Sequence, residues 1–225
     1  HIFIIATSIM EHKAFYTARE ESWNAWSHAT GILLGIVCGF FFLRHTILTH
    51  QPWATFGVAL YMLGMLSSYV SSTVYHALPF SSAWKMKVRK LDHAAIYWHI
   101  AGSYAPITLV ALRNEGLWGW GLFSFVWLCA IVGTCSSFYK LKDHSNLETI
   151  TFVGMGLSVL VAFRPLLNSV DFSIVAWLIA EGVMYITGAM FYTLHKQRYM
   201  HTVFHFFVLA GSVCHLVAVW EVISM

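Results

Sequence analysis

Residues 117–138 form the stretch LWGWGLFSFVWLCAIVGTCSSF, which contains no Asp, Glu, Lys, Arg or His. The hydrocarbon core of a bilayer is about 30 Å thick, and an α-helix needs roughly 20 apolar residues to cross it. The stretch therefore predicts a transmembrane helix.

The composition of the whole chain indicates the same environment. Of its 225 residues, 58% are hydrophobic and only 10% are charged, whereas soluble domains carry about 25% charged residues. Such a chain cannot cover itself with polar surface, so lipid must be the solvent for much of it. The net charge of +3 is small and scattered, so we expect no nucleic-acid partner. The four cysteines lie in apolar stretches without CxxC spacing, which predicts neither a disulfide framework nor a thiolate metal site.

Seven windows of the chain are long and apolar enough to cross a bilayer. They cover residues 26–43, 53–76, 91–112, 117–138, 147–163, 172–194 and 201–222. The connections between them are short, so we expect an all-α, seven-transmembrane helix bundle that forms a single domain over residues 1–225. Pro106 lies within the third window and should kink or loosen that helix, because proline removes a backbone donor.

The basic residues predict the orientation of the bundle, because Lys and Arg collect on the cytoplasmic side of membrane proteins. With a cytoplasmic N-terminus, ten of the 13 basic residues fall inside: Lys13, Arg19, Lys85, Lys87, Arg89, Lys90, Lys140, Lys142, Lys196 and Arg198. Only Arg44, Arg113 and Arg164 fall outside. We therefore expect the N-terminus inside and the C-terminus outside.

Polar side chains recur at one depth of the predicted bundle, near its cytoplasmic face. Ionisable groups inside membrane spans are costly, and they usually face a cavity, a partner or a metal. The residues at this depth lie in or just before four windows: Glu21, Asn24 and His28; Ser72 and His76; Asp92 and His93; His201 and His205. Their common depth indicates a site.

Three of these residues are candidate metal ligands. His201 and His205 are four residues apart and project from one face of a helix, although this spacing alone is a weak signal that also suits packed histidines. His76 offers a third imidazole at the same depth. Three histidines leave the fourth tetrahedral position of Zn²⁺ open, as in catalytic sites, so we expect Zn²⁺ as the cofactor.

Asp92 and Ser72 are the candidate catalytic residues beside this metal site. Asp92 can act as a general base, or it can pair with a neighbouring basic side chain or with a helix N-terminus. Ser72 precedes His76 by one turn and can bond a group in the site or a carbonyl of its own helix. Glu21, Asn24, His28 and His93 are candidates for orienting the ligands, or they make ordinary polar contacts between helices.

Four segments resemble the hemolysin III family, the bacterial branch of the progestin and adiponectin receptor superfamily. They are EESWNAWSHATG (residues 20–31), SSTVYH (71–76), LDHAAIYWHIAGSYAP (91–106) and HTVFHFFVLAGSVCH (201–215). The resemblance implies seven helices with a cytoplasmic N-terminus, here in a bacterial inner (plasma) membrane. It also implies zinc held by His76, His201 and His205, with Asp92 and Ser72 beside it. His99 departs from the family pattern, in which an aliphatic residue is more usual.

The resemblance extends to a wider superfamily that includes alkaline ceramidases, which implies a metal-dependent hydrolase of a lipid amide or ester bond. A membrane lipid would then be the substrate. A receptor or membrane-homeostasis sensor with structural zinc, and a lipid as its ligand, is the alternative. A pore-forming hemolysin agrees less well with strongly apolar helices and short loops, and a bis-histidine haem protein lacks a suitable outer partner for His215. The sequence specifies neither the substrate nor the oligomeric state, and it assigns no role to Glu181.

Overall fold

The computed structural model describes residues 16–140, 146–194 and 196–225 of the protein, and within these ranges it contains helices and no strand. Lys13 and Lys142, two of the charges that predict the orientation, lie outside the described residues. The helices are α1 (Ala18–Leu48), α2 (Pro52–Ala77), α3 (Lys85–Pro106), α4 (Trp118–Lys140), α5 (Asn146–Gly156), α6 (Phe163–Ser169), α7 (Phe172–Thr193) and α8 (Met200–Ile223).

These helices make seven spans, because two short helices complete the third and the fifth. A π-helix, Ile107–Ala111, extends α3, and a 3-10 helix, Leu157–Ala162, joins α5 to α6. Each window predicted from the sequence lies within one of the seven spans, to within about one residue at its ends. The predicted all-α bundle is thereby confirmed.

Six of the seven spans are apolar enough to cross a membrane by length and composition, and α3 is the exception among the described helices. Its first two turns carry Lys85, Lys87, Arg89 and Lys90. The rest of α3 can be less apolar than its neighbours because it contacts α2, α4, α5 and α8 and lies inside the bundle. Protein, rather than lipid, surrounds most of this helix.

The outer surface of the bundle is apolar. Large side chains such as Leu33, Phe40, Leu128 and Met190 are more than 60% exposed, which is the surface that lipid requires and water disfavours. The protein is an integral membrane protein.

Glycines allow α2 and α3 to pack closely. A Cβ atom on Gly102 would lie 2.8 Å from the carbonyl oxygen of Leu60, and one on Gly64 would overlap the carbonyl of Trp98. Small residues permit such backbone approach in membrane helices, where packing rather than hydrophobic burial drives association. The approach brings Ser72 of α2 beside Asp92 of α3.

Two of the spans depart from regular α-helical geometry. After Pro106, which cannot donate a backbone hydrogen bond, α3 widens into the π-helix. The fifth span breaks after Gly156, where the Tyr104 hydroxyl donates to the Gly156 carbonyl oxygen (2.6 Å) and accepts from the backbone N–H of Val159 (2.9 Å). The window 147–163 was therefore too short, because the span continues through the break to Ser169.

One end of the bundle, here called the basic end, is where α1, α3, α5 and α8 begin and α2, α4 and α7 end. Among the described residues, Arg19, Lys85, Lys87, Arg89, Lys90, Lys196 and Arg198 lie at or near this end, and Arg44, Arg113 and Arg164 lie towards the other. The asymmetry is the one that the sequence predicts.

Candidate metal centre and its cavity

Three histidine side chains converge near the basic end. His76 comes from the last turn of α2, and His201 and His205 come from the first two turns of α8. The Nε2 atom of His201 lies 3.3 Å from Nε2 of His76 and 3.0 Å from Nε2 of His205. One nitrogen from each histidine lies within 4.8 Å of the other two, close enough to hold one metal ion.

A carboxylate orients His76. Its Nδ1 lies 2.5 Å from Oε2 of Glu21 on α1, and the other oxygen of Glu21 lies 3.0 Å from Nζ of Lys85. Lys85 also donates to the carbonyl oxygens of Tyr75 and Leu78, both at 2.9 Å, at the C-terminal end of α2 where carbonyls lack helical partners. Glu21 and Lys85 thus link α1, α2 and α3 around His76.

His205 is oriented by the backbone of α1. Its Nδ1 lies 3.2 Å from the carbonyl oxygen of Asn24 and 3.2 Å from the Ser27 hydroxyl. The side-chain oxygen of Asn24 accepts a hydrogen bond from Thr202 on α8 (2.5 Å). Ser27 was not among the predicted site residues, because a serine in a membrane helix ordinarily bonds its own backbone, as Ser27 also does with the Asn24 carbonyl (2.9 Å).

These contacts fit a zinc ion. The Nδ1 atoms of His76 and His205 face acceptors, which places their protons there and leaves both Nε2 lone pairs directed at the cluster. Lone pairs that converge at this distance can share one cation. Two nitrogens on one tetrahedral Zn²⁺, each at 2.0–2.1 Å, lie about 3.3 Å apart, which is close to the Nε2–Nε2 distances of 3.3 and 3.0 Å in the cluster.

The start of α8 is fixed by the start of α1. Tyr199 precedes α8 with a positive φ of 62°. This backbone conformation is uncommon and strained for a bulky residue, and it persists only where surrounding contacts hold it. Its backbone N–H donates to Oε1 of Glu20 (2.8 Å), and Glu20 also closes a capping box with Thr17. This link sets the position of His201, two residues further on.

Tyr16 lies over His201, with ring centroids 4.8 Å apart and planes 23° from parallel. Tyr16 precedes the first membrane helix, and burial is the main cause that raises the pKa of its phenol well above the usual value. The hydroxyl therefore stays neutral at physiological pH and carries no charge towards the site.

The two predicted catalytic residues lie together beside this centre. Ser72, which is buried, hydrogen-bonds the carboxyl group of Asp92, and His76 is close enough to Asp92 to interact with it electrostatically. Both Ser72 and Asp92 line the cavity that opens at the histidines. Of the basic neighbours on α3, Lys85 bonds Glu21, and Arg89 interacts electrostatically with Asp92.

The remaining candidates have different surroundings. The ring of His28 stacks on that of His205, with centroids 3.6 Å apart and planes 12° from parallel. His93 lies on the cavity wall and bonds Oε2 of Glu148 on α5 through Nδ1 (3.0 Å). Glu148 was not predicted, because it follows a polar connection in which a carboxylate is unremarkable.

A cavity of about 450 Å³ extends from the metal centre into the bundle, a volume typical of small-molecule sites. Ser72, Asp92, His201 and His205 line it near the basic end, and His99, Glu181 and His215 line it deeper. The rest of the wall is mostly apolar. Such a cavity suits an amphiphile.

The cavity reaches the lipid-facing surface between the fifth span and α7. Five of its lining side chains are also 40–58% exposed at the outside of the bundle: Leu157, Leu160, Ile179, Val183 and Ile186. An apolar molecule in the bilayer can therefore reach the cavity sideways, through a wall whose side chains already face acyl chains.

Comparison with known proteins agrees with this architecture. A family model described as Haemolysin-III related matches residues 16–216. The chain belongs to the haemolysin-III-related family. It is similar to Hemolysin-3 of Bacillus cereus, with 31% identity over 194 residues that cover 86% of this chain and 87% of the relative. It is also similar to the Hemolysin-3 homolog of Bacillus subtilis (strain 168), with 32% identity over 197 residues that cover 88% and 91%.

Mammalian proteins are similar to this haemolysin-III-related chain too. The human Monocyte to macrophage differentiation factor is 26% identical over 214 residues, which cover 91% of this chain and 85% of the relative. Neither the family description nor these names specify a metal or a reaction. The chemistry of the site therefore follows from its own residues.

Proposed function

We propose that this protein is a zinc-dependent membrane hydrolase that cleaves an amide or ester bond of a membrane lipid. The observation that supports it is the convergence of three imidazole Nε2 atoms, two of them with Nδ1 held by Glu21 or by the Asn24 carbonyl. A carboxylic acid, Asp92, lies beside these histidines on the wall of an apolar cavity.

The residues divide the chemistry between them. Zinc bound by His76, His201 and His205 would polarise the lipid carbonyl and lower the pKa of a water molecule to about 7. Asp92 accepts the proton as water attacks and returns it to the leaving group. Ser72 holds the Asp92 carboxyl group through its hydrogen bond, and the apolar wall excludes bulk water from the reaction.

The substrate side of the proposal follows from the shape of the cavity. A lipid enters between the fifth span and α7, with its acyl chain along the apolar wall and its carbonyl at the histidines. With the N-terminus in the cytoplasm, as the basic residues predict, the metal centre lies in the inner leaflet. We propose the bacterial inner membrane as the location.

The first experiment is the metal content of detergent-purified protein, measured by mass spectrometry. We expect about one zinc per chain, and loss of that zinc in His76→Ala and in His205→Ala. His45→Gln is the matched control, because His45 bonds the Ile223 carbonyl at the opposite end of the bundle. A folded, chelator-free protein without metal would overturn the proposal.

The second experiment is the turnover of labelled lipid amides and esters by the zinc-loaded protein. Release of fatty acid that depends on zinc and is lost in His205→Ala supports the hydrolase. Zinc at one per chain with no turnover of any such lipid would favour the alternative, a lipid receptor or membrane-homeostasis sensor with structural zinc.

A further inference from the structure

A second group of polar side chains lies deep in the membrane, on and behind the far wall of the cavity. This mid-membrane cluster consists of Tyr61 on α2, His99 on α3, Glu181 on α7 and His215 on α8. His215 is ten residues beyond His205, so it lies about 15 Å further along the α8 axis. His99, Glu181 and His215 all line the cavity.

The contact between His215 and Glu181 determines the orientation of the His215 ring. Nδ1 of His215 lies 2.7 Å from Oε2 of Glu181, so this nitrogen donates to the carboxylate. The other nitrogen, Nε2, is then an acceptor in the neutral ring. The pair thus leaves one ring nitrogen, Nε2, facing its surroundings.

Three buried polar atoms of the cluster have no hydrogen-bond partner among the described residues: Tyr61 Oη, His99 Nε2 and His215 Nε2. The side chains are 0%, 7% and 2% exposed, and an unpaired polar group in an apolar setting is costly. The Tyr61 ring lies 4.8 Å from that of His215 and 6.4 Å from that of His99, between centroids. The three unpaired atoms therefore belong to one location.

The geometry of this cluster does not suit a metal ion. Within the described residues, the group of three or more histidines, cysteines or carboxylates close enough to share an ion is the one at the basic end, and neither His99 nor His215 belongs to it. The Tyr61 hydroxyl can donate and His215 Nε2 can accept, so the matching ligand group both accepts and donates. A hydroxyl group does so, whereas a carbonyl only accepts.

We propose that the mid-membrane cluster binds a hydroxyl group on the distal half of a lipid acyl chain. The inference rests on the proposed function for one point, that the head carbonyl of the lipid lies at the three histidines. The separation of about 15 Å between the two sites equals half of a hydrocarbon core about 30 Å thick, which is the depth that one acyl chain spans. The selected substrate or product is a hydroxylated fatty-acyl lipid.

The test compares two fatty acids that differ by one hydroxyl, ricinoleic acid and oleic acid, as ligands of the purified zinc-loaded protein. We expect ricinoleic acid to bind about two- to tenfold more tightly, the equivalent of one net hydrogen bond. His99→Leu and Tyr61→Phe should each reduce this preference, measured as the ratio of the two affinities. Ser103→Ala is the control, because Ser103 also lines the cavity but its hydroxyl bonds the Ile100 carbonyl (2.9 Å).

Equal affinity for the two fatty acids, or no binding of either, would overturn the inference and would assign the three polar atoms to buried water. A preference that persists in both His99→Leu and Tyr61→Phe would overturn it as well. The fatty acids contain no bond for the proposed hydrolase to cleave. If the protein shows the preference but no hydrolysis, only the proposed function is wrong. If it shows hydrolysis but no preference, only this inference is wrong.

Discussion

The metal centre and the mid-membrane cluster each contribute side chains to the wall of the same cavity, and each contains a histidine whose Nδ1 faces a carboxylate. At the metal centre Glu21 bonds His76, and in the mid-membrane cluster Glu181 bonds His215. The difference lies in the opposite ring nitrogen. Nε2 of His76 meets Nε2 of His201 at 3.3 Å, whereas Nε2 of His215 has no such neighbour among the described residues.

This contrast shows that an oriented histidine in a membrane does not identify a metal ligand by itself. Orientation is needed in both places, because an imidazole in an apolar setting must place its proton on an acceptor. The convergence of a second and a third ring nitrogen on the same point is what allows a cation to be shared. In the mid-membrane cluster a single ring nitrogen of His215 lies beside the Tyr61 phenol, and the proposed partner there is a ligand hydroxyl.

The largest expected effect comes from Asp92, which adjoins only the metal centre. Asp92→Asn should lower the rate of lipid hydrolysis by about 10²–10⁴-fold, the usual contribution of a general base, while zinc stays at one per chain. Glu181→Gln, which changes an acid in the other cluster, should retain most of the rate. Turnover of the labelled lipid at saturating zinc measures both variants, and an Asp92→Asn protein with the wild-type rate would remove Asp92 from the mechanism.

The next effect compares the two carboxylate–histidine pairs directly. Glu21→Gln should weaken zinc binding by about 10–100-fold, as the loss of a group that orients a ligating histidine typically does. Glu181→Gln is the matched change, and it should leave zinc affinity as it is, because His215 is not a ligand. Competition with a chelator measures both affinities. Equal losses in the two variants would mean that the clusters are not separate sites.

The sequence predicted the spans well because hydropathy is a local property. Each of the seven windows could be recognised from its own residues. The break after Gly156 could not, because it depends on the hydroxyl of Tyr104, which arrives from another span and bonds the freed backbone groups. The residues of the window alone do not indicate that partner.

The candidate site was predictable to the extent that depth and helical spacing define it. The common depth of His76, His201 and His205 placed them together, and the structure brings the three into contact. The roles of Ser27 and Glu148 depend on which face of one helix meets another, which spacing along the chain does not specify. Glu181 stood out as an acid in a membrane helix, but its partner His215 is 34 residues away, and only the packing of α7 on α8 reveals the pair.

The smallest expected effect is a change in the free energy of unfolding. The direction of this change distinguishes His99 from the ligating histidines. His99→Leu replaces a buried ring whose Nε2 has no partner among the described residues with an apolar side chain of similar reach. The fatty-acid-free protein should therefore unfold at the same temperature or a higher one, with a gain of up to about 1 kcal/mol, since an unsatisfied polar group costs about 1–3 kcal/mol and repacking offsets part of it. Thermal unfolding in detergent measures the shift, with Ser103→Ala as the control from the same face of α3. A loss of more than about 1 kcal/mol would show that the His99 ring is already well satisfied in the resting protein, and the contrast between the two clusters would then reduce to the metal alone.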